Sequence, residues 1–413
     1  MPIFSRRIDH WLAQKILNAI GRAPVRIVLE NGETIVPAGV SPVASVMIKD
    51  RRTLAELCID PEVAFGDAYM DGRIQVEGDL VRLLEAVDEI WPADRRWYAR
   101  LMSQTMEFWQ ANSLGGSRRN IQRHYDLGNE FYKLWLDKEL VYTCAYFPQP
   151  SATLEEAQFA KMEHVCRKVR LQPGETVVEA GCGWGALALH MARQYGVSVR
   201  AFNISREQIT FARERARREG LNGQVEFVED DYRNITGKYD VFMSVGMLEH
   251  VDVRRYPEFG DVIHRAIGDN GRGLIHFIGR NQDASFSRWI RKRIFPGANA
   301  PCLRRALEVL EPHNFSVLDV ENLRFHYAKT LEHWLERFEK SQQRVLARYD
   351  LPFVRAWRLY LAGSMAAFRA GTLQLFQVVF SGSRAPSLWW TRAPLYAATP
   401  PAVEKPQWMH VMS

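Results

Sequence analysis

Hydrophobic positions change period along the chain, and each change marks a different kind of element. Ile8, Trp11, Leu12, Ile16, Leu17 and Ile20 recur at helical spacing with polar residues between them, which predicts an amphipathic helix near the N-terminus. Its apolar stripe is read as a packing face against its own domain rather than a membrane-surface face. From Val25 the run VRIVLENGETIV is strand-like, and a mixed stretch follows to about Gly78 that includes the turn-rich GDAYMDG of Gly66 to Gly72. A small α+β domain is expected here. Helical segments continue to about Ala111, and then NSLGGSRRN, with paired glycines and basic residues, suits an exposed connection. The domain boundary is therefore placed near residue 115, dividing 1–115 from 116–413.

From Thr176 short β-rich runs alternate with helical ones: TVVEA, VSVRAFN, VEFVE, YDVFMSV and GLIHFI. Such alternation predicts an α/β fold, a parallel sheet with crossover helices on both faces. FSVLDVE from Phe315 and FQVVF from Phe376 add later strands. The intervals before each are too long for simple connections and are assigned to the substrate side.

Composition narrows the class without naming it. With 47% hydrophobic and 25% charged residues over 413 positions, the chain can bury a large core and is neither disordered, collagenous nor coiled-coil. No apolar run approaches the ~18 residues of a spanning helix, and MPIFSRRIDHW carries charges where a signal peptide is apolar. A cytoplasmic protein is expected. The five cysteines, Cys58, Cys144, Cys166, Cys182 and Cys302, form no CxxC pair, so neither a disulfide framework nor a zinc site is indicated. A formal charge of +6 suits an anionic partner. Acidic phospholipid and nucleic acid both qualify, but no nucleic-acid-binding signature accompanies the charge, and a nucleic-acid partner is not expected.

The first strand of the alternating region ends in Glu179-Ala180-Gly181-Cys182-Gly183-Trp184-Gly185 and enters a helical segment directly. Glycines there let the backbone turn tightly and approach a ligand at a helix N-terminus. Dinucleotide enzymes use such a turn too, but their G-x-G-x-x-G spacing is absent, and Asn203 stands where they place an acidic residue on the ribose. After the third strand, Asp230, Asp231 and Tyr232 occupy a base-binding position, an acid to accept from an adenine amino group and a ring to stack on it. The set resembles class I methyltransferases, a Rossmann-like fold that uses S-adenosylmethionine.

Further along, the chain contains His124-Tyr125-Asp126-Leu127-Gly128-Asn129, Tyr142-Thr143-Cys144-Ala145-Tyr146-Phe147, Ser244-Val245-Gly246-Met247-Leu248-Glu249-His250 and Leu274-Ile275-His276-Phe277-Ile278-Gly279. Together with Tyr360-Leu361-Ala362, Phe368-Arg369 and Gln377-Val378-Val379-Phe380 they resemble the cyclopropane-fatty-acyl-phospholipid synthases. The resemblance runs from about Arg123 to Ser381, and GDAYMDG extends it into the small domain. It implies that the electrons of a cis double bond in a phospholipid acyl chain attack the sulfonium methyl, leaving a carbocation. A bound bicarbonate ion then takes a proton and the ring closes. By motif, Cys144 and Ile278 hold bicarbonate through their backbone, and Glu249, His276 and Tyr360 through side chains. Tyr142, Thr143, Glu179, Gly181, Gly183, Gly185, Asn203, Gln208, Asp231 and Tyr232 form the expected cofactor contacts. Tyr146, Phe277, Trp289 and Phe368 are candidate rings for steadying the cation.

The family pattern breaks after Ile294-Phe295-Pro296-Gly297, where this chain reads ANAPCLRRALEVLE. That departure bears on acyl length, double-bond position or product. Phe286, Trp289, Ile290 and Arg293 recur at helical spacing in the same insertion, among Arg288, Arg291 and Lys292. A membrane-contacting face is the reading favoured there, which makes the protein peripherally membrane-associated with a bilayer as partner. A homodimer is left open. Three rivals stand: methylene or methyl-branched products, small-molecule N-methylation, and a non-catalytic lipid-binding protein that keeps the fold.

Overall fold

The computed structural model describes residues 3–21, 23–90, 127–284, 286–385 and 391–396. The expected boundary near 115, the helical stretch from 91 to 111, NSLGGSRRN and His124-Tyr125-Asp126 lie outside them. Helix α1 (Ile3–Ala19) buries Ala13 and Leu17 against its own unit, while Ile8 and Trp11 of the expected stripe are exposed. Strands β1 (Val25–Leu29), β2 (Thr34–Ile35), β3 (Ala44–Ile48) and β4 (Ile74–Gly78) form a sheet in the order β2-β1-β3-β4, with only β1 and β3 parallel. Helices α2 (Arg51–Ile59) and α3 (Pro61–Asp71) start where Asp50 and Asp60 accept from the Thr53 and Val63 amides, each satisfying an otherwise unpaired donor of the first turn. Gly72 ends α3 at φ 76, the left-handed cap that favours glycine. Helix α4 (Leu80–Ile90) completes the unit.

Every strand expected in the second half forms. They are β5 (Thr176–Ala180), β6 (Ser198–Asn203), β7 (Val225–Glu229), β8 (Val241–Val245), β9 (Arg272–Gly279), β10 (Ser316–Asn322) and β11 (Gln374–Ser381). The sheet order is β10-β11-β9-β8-β5-β6-β7, parallel except for β11, which runs antiparallel to both neighbours. Helices α5 (Leu154–Lys168), α6 (Ala186–Tyr195) and α7 (Arg206–Arg218) cover one face through Val165, Leu187 and Ile209. On the other, α8 (Tyr256–Ile267) packs Phe259, Val262 and Ile263. This is the doubly covered architecture the alternation requires. No described helix is long and apolar enough to cross a membrane.

A third core joins the two parts of the chain. It runs without a break from Ile27, Leu54 and Leu83 of the small unit to Trp334 of α10 (Arg324–Lys340) and Tyr360 and Leu361 of α11 (Leu351–Ala370). The helix that bears Tyr360 is thus roofed by the small domain.

The insertion does not present the membrane face expected of it. Helix α9 (Arg288–Arg293) docks on α3 instead. The Arg288 guanidinium pairs with Asp60 and its amide donates to Glu62 at 2.8 Å, while Lys292 and Arg293 reach Asp67 at 3.0 and 2.9 Å. Trp289 is 4% exposed and lies on Gly66. Basic residues that looked lipid-facing in isolation are matched by acids more than 200 positions earlier in sequence, a pairing that only the fold brings about.

Gly66 sits mid-helix, where alanine ordinarily stabilises by about 1 kcal/mol. A Cβ there would lie 2.2 Å from Trp289 Nε1. Gly66→Ala is therefore expected to destabilise by ~1–3 kcal/mol through overpacking, read as a lower Tm. A rise in Tm would show that Trp289 does not hold this seat.

Candidate active site

The turn after β5 shows why its glycines alternate. Gly181, Gly183 and Gly185 have φ of 86, 53 and 83, the left-handed region where a side chain is strained. Their surroundings differ. A Cβ at Gly185 would strike the Phe227 ring at 2.6 Å, so that glycine serves helix–strand packing, and one at Gly181 would touch Met247 at 3.0 Å. At Gly183 a Cβ would meet nothing within 4 Å, which makes it the glycine that opens on space for a ligand. Asn203 braces the turn, its Nδ2 donating to Gly183 O at 3.2 Å and to Gln208 Oε1 at 2.7 Å. Trp184 Nε1 donates to Asn129 Oδ1 at 2.6 Å, tying the turn to the Leu127-Gly128-Asn129 end of the first motif.

Asp231 is held by a neighbour in its own turn. Its carboxylate is buried, and both oxygens are taken by the Arg233 guanidinium at 2.7 and 2.8 Å. The carboxylate fixes the turn and keeps lone pairs for a further donor. Tyr232 is half-buried beside it, its ring centroid 5.2 Å from that of Phe259. Behind the turn, burial pushes the Glu179 carboxyl up to about 7, with Lys161 opposing.

The expected base residues gather at the carboxyl ends of β8 and β9, the edge where α/β sheets bind ligands. Glu249 stands in a single 3-10 turn (Leu248–His250) after β8 and accepts the Ile278 amide on Oε1 at 2.6 Å. Its Oε2 is buried and finds no hydrogen-bond donor among the described residues. Burial drives this carboxyl up to about 7. His276 is buried with Nδ1 3.1 Å from the Gln377 side-chain amide. Burial and the charges of Lys161 and Lys168 hold its pKa far below the ordinary value, so the ring is neutral. His250 is likewise pulled down to about 4 by burial.

Tyr360 and Tyr142 hydroxyls meet at 2.9 Å, which brings the Tyr142–Phe147 motif and α11 to one place. Cys144 is fully buried, its thiol donating to Ala145 O at 3.1 Å, and burial pushes its pKa far up. A thiol so protonated is no nucleophile, which leaves the backbone as its contribution.

Each of the four candidate rings has its own packing partners. Tyr146 is stacked between His164 and His326 at 4.2 and 4.8 Å, and Phe368 packs on Tyr327 at 4.6 Å. Trp289 belongs to the interdomain seam, and Phe277 faces the opposite side of β9 from His276, as strand alternation dictates. Phe295 adds a ring beside the site, with its centroid 5.3 Å from Tyr360 and 6.1 Å from His250. Sequence reading quoted Phe295 without assigning it a role. Asn299, whose amide donates to Glu249 O at 2.8 Å, and Gln377 were missed as well. So were Gln158 and Lys161, polar residues on the buried face of α5, and that placement was the available signal. Among the described residues no group of three potential ligands fits a metal ion.

The chain is similar to known proteins in sequence and in fold. The profile of the mycolic acid cyclopropane synthetase family matches residues 113–378, and that of a domain of unknown function matches 12–89. A probable fatty acid methyltransferase of Pseudomonas putida is 33% identical over 384 residues, 90% of this chain and 96% of that protein. The cyclopropane-fatty-acyl-phospholipid synthase of Escherichia coli strain K12 is 34% identical over 358 residues, 82% of this chain and 88% of that one. Among solved structures, a mycolic acid cyclopropane synthase complexed with SAH and CTAB superposes with a TM-score of 0.61 at 29% identity, covering 64% of this chain and 97% of that one.

Two outcomes follow from the geometry. Gly183→Ala should fold with a loss of about 1 kcal/mol yet bind SAH at least tenfold more weakly, whereas Gly185→Ala should fail first in thermal stability; calorimetry of both variants checks the division. The raised Glu249 pKa means the folded chain binds that proton more tightly than the unfolded chain. Its contribution to stability is full below the ordinary value of 4.5 and is lost as pH rises through about 7. Glu249→Gln should therefore raise Tm above the parent's near pH 8 and change it little near pH 5. A pH-independent difference would overturn the reading.

Proposed function

The chain belongs to the mycolic acid cyclopropane synthetase family of S-adenosylmethionine-dependent methyltransferases, and on that premise we propose that it transfers the methyl carbon of S-adenosylmethionine to the cis double bond of an unsaturated phospholipid acyl chain and closes a cyclopropane ring, with bound bicarbonate as base. The observation that carries the proposal is the Glu249 carboxyl, buried, with Oε2 lacking a partner among the described residues. Such an atom is costly unless a donor comes to it, and the hydroxyl of bicarbonate is a donor of the right size.

The residues fit both groups. Gly183 opens on the space the cofactor needs. When bound, S-adenosylmethionine supplies an electrophilic methyl and bicarbonate a weak base. The chain supplies position and dryness. Glu249 orients the bicarbonate hydroxyl through Oε2, while its Oε1 is itself fixed by the Ile278 amide. Ile278 therefore acts here through Glu249. The Nε2–H of His276 and the hydroxyl of Tyr360 donate to the remaining oxygens, and a neutral histidine does so without repelling the cation. Phe295 and Tyr142 surround Tyr360 with rings that steady positive charge without trapping it. A peripheral contact with the bilayer is part of the proposal, supported by the charge of +6 and by Trp11 of α1, 58% exposed with Lys15 Nζ 5.0 Å from its ring.

A second reading, methylene or methyl-branched products, draws on the Pseudomonas putida relative, whose name specifies only a fatty acid methyltransferase. Expression in a host that lacks cyclopropane lipids, followed by chromatography of the fatty acid esters, separates the two. Cyclopropane acids are expected, and branched or methylene acids would replace the first reading with the second. In the purified enzyme Glu249→Gln should lower turnover by ~100-fold to 10,000-fold with SAH affinity kept, and removing carbon dioxide should slow the parent until bicarbonate is restored. A parent indifferent to bicarbonate would remove the base from the mechanism.

A further inference from the structure

A buried ammonium lies between the two halves of the site, and nothing so far has used it. Lys161, on α5, is 2% exposed. Such burial is rare for lysine unless it is paired, and among the described residues no carboxylate stands within 4.0 Å of its Nζ. Its hydrogen bond goes to Thr143 Oγ1 at 3.2 Å. One turn earlier on the same helix, Gln158 Nε2 donates to Thr143 O at 2.9 Å and to Val141 O at 3.3 Å. Thr143 is thus gripped by α5 at its carbonyl and its hydroxyl at once.

Its surroundings place it beside the cofactor turn. A Cβ at Gly246 would lie 2.6 Å from Thr143 Cγ2, and one at Gly181 would lie 3.0 Å from Met247 Cβ, so the methyl rests on Gly246 and the residue after Gly246 rests on the first glycine of the turn. The charged and titratable groups around Lys161 are Asp137, Glu179, Cys144 and Cys166, with His276 on the same face of the sheet. Asp137 is occupied by the Val141 and Glu139 amides at 2.8 and 3.0 Å. Burial pulls the Lys161 pKa down to about 8, with Asp137, Cys144 and Glu179 opposing.

A hydroxyl has one proton and two lone pairs. Once Thr143 Oγ1 accepts from an ammonium, its own proton must point away from that ammonium. We infer that Lys161 is a positioning residue for the amino-acid end of the methyl donor, turning the Thr143 hydroxyl so that it donates to the donor's carboxylate. The inference rests on the reading that S-adenosylmethionine occupies the turn at Gly183. Lys161 touches no reacting atom and acts through Thr143.

The test compares SAH with methylthioadenosine, which keeps the adenosine and thioether but lacks the amino-acid end. Lys161→Met and Thr143→Val should each weaken SAH binding by about tenfold or more and leave methylthioadenosine binding unchanged. The double variant should be no weaker than the worse single one, since both substitutions break one interaction, and Thr143→Ser should retain most of the affinity. Equal loss for both ligands, or additive losses for SAH, would overturn the inference and reduce Lys161 to a structural role. If Lys161→Met fails to fold, Thr143→Val and Thr143→Ser carry the same comparison with the lysine intact. A parent that binds neither ligand would refute the cofactor reading itself, whereas a parent that binds both with like affinity would refute only the role of Lys161.

Discussion

Segment 141–147 must lie against the carboxyl ends of the central strands with its backbone out of water, and most of the site depends on how that is achieved. Buried carbonyls and amides need partners, and helices on two sides supply them. Gln158 takes the carbonyls of Val141 and Thr143, Thr330 Oγ1 accepts the Ala145 amide at 3.0 Å, and His326 Nδ1 accepts the Phe147 amide at 2.9 Å. With the segment so pinned, Tyr142 reaches Tyr360, Thr143 rests on Gly246 and Cys144 is sealed from solvent. One short loop thereby joins the cofactor turn to the base residues.

The small domain bears on the same site through packing. Its core continues into α11, so Tyr360 stands on a helix held from both sides. The insertion makes a second connection. Its first part is fastened to α3 by ion pairs and Trp289, and its later part sets Phe295 beside Tyr360 and the Asn299 amide on Glu249 O. The ion pairs are partly exposed, and such pairs contribute modestly to stability. Their effect is more on where the insertion lies than on how firmly the chain folds.

Electrostatically the site is quiet. His276 and His250 are neutral, Cys144 keeps its proton, and Glu249 titrates near 7. Burial is the first cause in each case, since removing water penalises whichever form is charged.

How much of this the sequence determined follows from which interactions are local. Strand and helix periodicity, the glycine turn after Glu179 and the strands FSVLDVE and FQVVF all rest on spacing within a few residues, and all appear where spacing puts them. The motifs likewise named Glu249, His276, Tyr142 and Tyr360, because residue type and order survive without coordinates. Tertiary structure decided what depends on partners far away in the chain. It sent the basic face of α9 to acids on α3 and brought Phe295 beside Tyr360. It also buried Lys161 against Thr143. A sequence shows that a side chain is charged or aromatic; which charge or ring it meets is fixed only when distant segments pack, and the energy of each contact depends on that meeting.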